Sequence, residues 1–151
     1  MSWPDELVTM FNHAHAKNTL HESYYYGPCN KLLSYCFASF KFYVTLQSPS
    51  KDGSLEKINF AIFLITSHSS NVPVLIVEIK DDSQLEDAES LYSAGQQICS
   101  RFLVMFNKHL LPRLWGISLI GMSACIYRAN TAKKQVNPLS RPCPTLHMFC
   151  C

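Results

Sequence analysis

The order of elements legible in this sequence predicts a mixed sheet with flanking helices, an α/β fold bordering on α+β. Three observations carry that expectation. Three strand-like segments follow one another before any long helix; the third, residues 72–80, is apolar on both faces; and two more strand-like segments follow the helix. An apolar run of that kind belongs in the middle of a sheet. Consecutive strands, then a crossover helix, then further strands give a sheet with both parallel and antiparallel neighbours.

Each element has its own signature. Pro4 with Asp5 and Glu6 starts a helix, since proline suits the first turn and acids suit the N-terminal dipole; Leu7, Met10, Phe11 and Ala14 follow at helical spacing. Asn18-Thr19 predicts a break, and Gly27-Pro28 a turn. From Asn30 a second helical pattern runs through Leu32, Leu33, Cys36, Phe37 and Phe40. Phe42–Gln47 and Lys57–Thr66 read as strands, separated by a Ser/Pro/Gly-rich loop, and Val72–Lys80 is the third. Ser83 with Glu86 matches a capping box. The stripe Ala88, Leu91, Tyr92, Gly95, Ile98, Cys99, Phe102 and Phe106 then predicts a long amphipathic helix. Trp115–Ile120 and Met122–Tyr127 are the last strands, bent near Gly121. Periodicity stops after Ala129, and Pro138, Pro142 and Pro144 predict an irregular tail. The expected organisation is an N-terminal helical extension at 1–20, a core at 21–128 and a tail at 129–151.

Composition narrows the function classes. A chain of 151 residues with 48% hydrophobic and 16% charged residues is globular, and its net charge of +2 does not by itself argue for nucleic acid. The seven cysteines form no CxxC pair, which argues against a zinc ribbon. Their odd number, and the polar acidic start Met1–Glu6 in place of a basic-then-apolar leader, predict an intracellular, reducing location in cytoplasm or nucleus. The longest apolar stretch, Leu114–Tyr127, is broken by Gly116, Ser118, Gly121 and Ser123 and is too short to span a bilayer, so no membrane partner is expected. There is no HExxH and no glycine-rich phosphate loop, and His13 and His15 have the wrong spacing for a helical zinc pair.

One chemical signal stands out. Glu78 and Lys80 close the apolar third strand, and residues two apart on a strand share a face. A carboxylate for Mg²⁺ beside a lysine for water or phosphate is what a metal-dependent phosphodiesterase uses. The plainer alternative is a strand surfacing into Asp81-Asp82, with Glu78 and Lys80 as solvated charges.

With the order α-β-β-β-α-β and Glu-x-Lys ending the third strand, the chain resembles the PD-(D/E)XK nuclease-like superfamily, and within it a group of uncharacterised fungal proteins. The resemblance covers roughly residues 20 to 128. It runs through Tyr24–Leu33, Ile58-Asn59-Phe60, Val77–Lys80, Ala94 with Gln97–Arg101, and Leu114–Tyr127. It implies a restriction-endonuclease-like core and, in an active member, a divalent-metal-dependent nuclease using Mg²⁺ or Mn²⁺. Residue by residue, it implies Glu78 as metal ligand, the Ile79 carbonyl as a further ligand, Glu22 as the helix carboxylate, Lys80 facing water or phosphate, and Gln97 on a helix facing the site. Asn59 stands where the second-strand acid is expected. An amide brings no charge to offset the hydration of Mg²⁺, so the resemblance implies impaired catalysis.

Three functional classes follow: a catalytically impaired domain that still binds nucleic acid (DNA or RNA) or phosphate, with no metal; an active nuclease with Asn59 as neutral ligand; and a protein-interaction module on the same scaffold, presenting Tyr24-Tyr25-Tyr26 to a protein partner.

Overall fold

The computed structural model describes residues 3–17, 21–49, 57–64, 72–81, 83, 88–106 and 111–138. Within them the order is α1 (Asp5–Ala16), α2 (Ser23–Cys36), β1 (Phe42–Pro49), β2 (Lys57–Leu64), β3 (Val72–Lys80), α3 (Ala88–Phe106), β4 (Arg113–Ile120), β5 (Ser123–Asn130) and β6 (Gln135–Pro138). Helices and strands combine in a mixed α/β architecture around one six-stranded sheet, whose spatial order follows the chain from β1 to β6. Neighbours are antiparallel except β3 and β4, which run parallel from Leu75↔Trp115 to Lys80↔Ile120. A parallel pair needs a crossover, and α3 supplies it.

Period-two alternation divides the core between the two sheet faces. Phe60, Ile62, Leu75, Val77, Ile79 and Leu119 pack with Leu7, Phe11 and Ala14 of α1 and with Tyr25, Cys29 and Leu33 of α2. On the opposite face Ile76, Leu114, Tyr127 and Ala129 pack with Ile98, Phe102, Met105 and Phe106 of α3. The first helix is therefore part of the main core. Contact between α3 and β4 is close enough to require glycine: a Cβ on Gly116 would sit 2.7 Å from Phe102 and 2.9 Å from Ile98.

Several local expectations are corrected. Gly27-Pro28 is not a turn; the helix begins at Ser23 and carries Pro28 inside it. Buried Tyr25, Cys29 and Leu33 recur at four-residue spacing, and core packing on that stripe overrides the missing amide of proline. On α3, Tyr92 is 69% exposed while Ala94 and Met105 are buried, so the apolar stripe is rotated from the expected one. The side chains of Ala88 and Leu91 and the capping residue Glu86 lie outside the described residues. Ser83 forms a short turn in which its N–H and Oγ both donate to Asp81 Oδ1. The irregular tail does not begin at 129: β5 reaches Asn130, and Gln135–Pro138 returns as β6 against Tyr127–Asn130. Val136 then packs on the α3 side of the core, an apolar contact too short to show periodicity. Residues 139–151 lie outside the described residues.

Candidate functional site

Glu78 follows from the strand's alternation. Val77 and Ile79 belong to the α1/α2 face, so Glu78 and Lys80 fall on the α3 face. Glu78 is 3% exposed, so it is not the solvated charge of the plainer alternative. Its Oε1 accepts a hydrogen bond from Arg101 Nε at 3.1 Å, an ion pair with both side chains largely removed from solvent. Burial pushes the Glu78 carboxyl above its ordinary value; the Arg101 hydrogen bond and charge, and the charge of Lys80, pull it back, while the charge of Glu22 pushes it up.

Lys80 is half-buried at the end of β3, and its carbonyl accepts the N–H of Gly121 at 3.1 Å. Gly121 has φ of 56°, a conformation glycine adopts without a Cβ penalty, and it turns the chain from β4 into β5. Gln97 lies one helical turn before Arg101 and is half-buried. Because α3 returns antiparallel to β3, four helical residues cover about the same length as two strand residues, roughly 6 Å. Gln97 therefore stands level with Lys80, as Arg101 does with Glu78.

Glu22, at the start of α2, accepts a hydrogen bond from the Tyr26 hydroxyl at 2.5 Å. Tyr26 in turn meets Phe60 edge-on, with centroids 6.0 Å apart. Ile79 faces away from Glu78, its side chain fully buried against the α1/α2 layer. Asn59 precedes Phe60 on β2, and Phe60 pairs with Val77. One further step of that antiparallel register brings the Asn59 backbone level with Glu78; its side chain is outside the described residues. The aromatic triplet is divided by the helix: Tyr25 is buried, Tyr26 half-buried, and the exposed Tyr24 ring takes the Lys17 ammonium 5.0 Å from its centroid.

Two neighbours of Glu78 were not anticipated from the sequence. Ser118 stands beside it in the parallel ladder, 3% exposed, and its Oγ has no hydrogen-bond partner among the described residues. Arg101 had a signal that could have found it. A glutamate inside an apolar strand requires a counter-charge, and Arg101 is the only lysine or arginine in the α3 sequence.

Among the described residues the groups around Glu78 do not assemble a divalent-cation site. Glu78 Oε1 is held by a guanidinium, and among the described residues no three His, Cys, Asp or Glu side chains converge into a group that could hold an ion. Comparison with protein-family models, with curated proteins and with solved structures returns no match.

Proposed function

We propose that this chain is a nuclease-like domain of the PD-(D/E)XK kind, impaired in metal-dependent catalysis, that binds nucleic acid or another phosphate-bearing partner at the Lys80 end of β3. The observation that carries the reading is the buried Glu78 carboxylate engaged by Arg101. A carboxylate that neutralises a guanidinium has little charge left for a metal, and Asn59 supplies none from β2. The element order, the parallel β3–β4 pair and the helical crossover support the ancestry.

On this reading the Glu78–Arg101 pair is scaffold and Lys80 is the binding group. Lys80, half-buried at the strand end, is the cation offered to a phosphate there. Gly121, by holding the Lys80 carbonyl, fixes the backbone from which that side chain extends.

The test uses labelled single- and double-stranded DNA and RNA with Mn²⁺, comparing wild type with Glu78→Ala, Asn59→Asp and Lys80→Ala. The expected result is binding without cleavage, weakened by Lys80→Ala. Cleavage by wild type that disappears in Glu78→Ala would overturn the impairment. Binding unchanged by Lys80→Ala would remove the proposed site.

A further inference from the structure

Among the described residues, the second half of the sheet is covered by α3 on one face, and its other face is open at the end that carries Trp115. Along β4 and β5, Leu114, Gly116, Ser118, Tyr127 and Ala129 are buried toward α3. The alternate residues point the other way; Ile117, Leu119 and Ala124 join the α1/α2 core, and the rest lie beyond that layer, which is packed mainly over β1–β3. There Trp115 is 36% and Ile126 42% exposed, Arg113 is exposed, and Arg128 is half-buried. Trp115 and Arg128 are a direct cross-strand pair, as are Ile117 and Ile126, and Arg128 pairs onward with Asn137 of β6. Directly opposite residues on antiparallel strands hold their Cβ atoms roughly 4.5–5.5 Å apart, so an indole and a guanidinium stand side by side on an open surface.

The charge of this half is one-sided. Residues 90–151 contain seven lysines and arginines and no aspartate or glutamate, whereas all eleven acids and the other six basic residues lie in 1–89. The modest net charge of +2 conceals a basic half joined to an acidic one. Exposed Lys133 and Lys134, in the β5–β6 turn, add to the basic rim.

We infer that the open face of β4–β6 binds single-stranded nucleic acid, with a base stacked on Trp115 and phosphates held by Arg113 and Arg128. Single strands are bound by a positive surface that follows the backbone and by aromatic rings on which bases stack. An acidic peptide would meet the charge but leave the indole without a planar partner. A second copy of the chain would set two acid-free basic faces against each other. This surface lies on the opposite face of the sheet from Glu78 and does not depend on the Lys80 reading.

Fluorescence anisotropy of labelled oligothymidine and oligouridine, titrated over a salt series with the full chain, tests the inference. Wild type should bind with an affinity that falls as salt rises. Trp115→Ala should weaken binding about tenfold or more, and Trp115→Phe should retain most of it. Arg128→Glu should weaken binding and flatten the log–log salt slope by about 0.7 per lost phosphate contact. Tyr92→Ala, which removes an exposed ring on α3, should leave this affinity unchanged. Absence of binding by folded wild type would overturn the inference, as would wild-type affinity in both Trp115→Ala and Arg128→Glu. Displacement by polyglutamate with no dependence on Trp115 would reassign the face to acidic peptides. A homodimer lost in Trp115→Ala would reassign it to self-association.

Discussion

Replacing Arg101 with methionine removes the charge that faces Glu78 while keeping an unbranched apolar side chain. Glu78 is 3% exposed, and the Arg101 side chain retains only 12% of its accessible surface. Removing one partner of such a pair leaves a buried, uncompensated charge, which costs about 3–5 kcal/mol. For a chain of this size each kcal/mol shifts Tm by roughly 2–4 °C, so Arg101→Met should lower Tm by about 6–20 °C at neutral pH. The loss should depend on pH. Burial raises the Glu78 carboxyl and Arg101 opposes that rise, so the variant binds its proton still more tightly when folded. A folded pKa above the unfolded value favours the native state at or below the unfolded value, here 4.5, and that advantage disappears as pH rises through the folded value. The deficit of Arg101→Met should therefore be largest at neutral pH and shrink on acidification. The double variant Glu78→Leu with Arg101→Met should recover most of the lost stability, since an apolar pair of similar volume is often as stable as a buried ion pair. Thermal melts and urea denaturation followed by circular dichroism, repeated across pH, measure all three. If Arg101→Met falls within about 0.5 kcal/mol of wild type at neutral pH, the buried pair is not the strong coupling described here.

Other outcomes follow from the same structure. Gly116→Ala should destabilise by about 1–3 kcal/mol in urea titration, because its Cβ meets Phe102 at 2.7 Å and Ile98 at 2.9 Å, both fully buried. Gly121→Ala should lose about 1–2 kcal/mol from its φ of 56° and should also weaken phosphate binding by shifting the end of β3; thermal melts and phosphate titration read the two effects. Cys36, which is exposed, should be alkylated in the native protein. Cys29, buried and pushed up to about 12, should react only after unfolding, as peptide mapping after iodoacetamide will show.

The strands were legible where burial imposed a strong pattern. Val72–Lys80 is apolar on both faces, and β3 occupies that span at the centre of the sheet. Phe42 and Lys57 likewise mark the starts of β1 and β2. Local chemistry misled where tertiary contacts prevailed. Gly27-Pro28 carries a strong turn signal, yet the buried stripe of Tyr25, Cys29 and Leu33 keeps the helix continuous. β6 has four residues, too few for a period, and is defined by pairing with β5. At the site, the spacing of Glu78 and Lys80 gave their shared face. The burial of Glu78 and its engagement by Arg101 depend on the crossover helix, a relation across 23 residues that no local spacing contains.

The sheet's spatial order also bears on how the chain folds. Four of its five strand pairings join consecutive antiparallel segments and can form by local closure. Only the β3–β4 ladder, which brings residue 75 to residue 115, requires a long loop to close first. The slow event expected in folding is therefore the docking of two preformed antiparallel units along one seam. Gly116 and the Glu78–Arg101 pair sit on that seam. Changes there should slow refolding, whereas changes in contacts that form after docking should mainly accelerate unfolding.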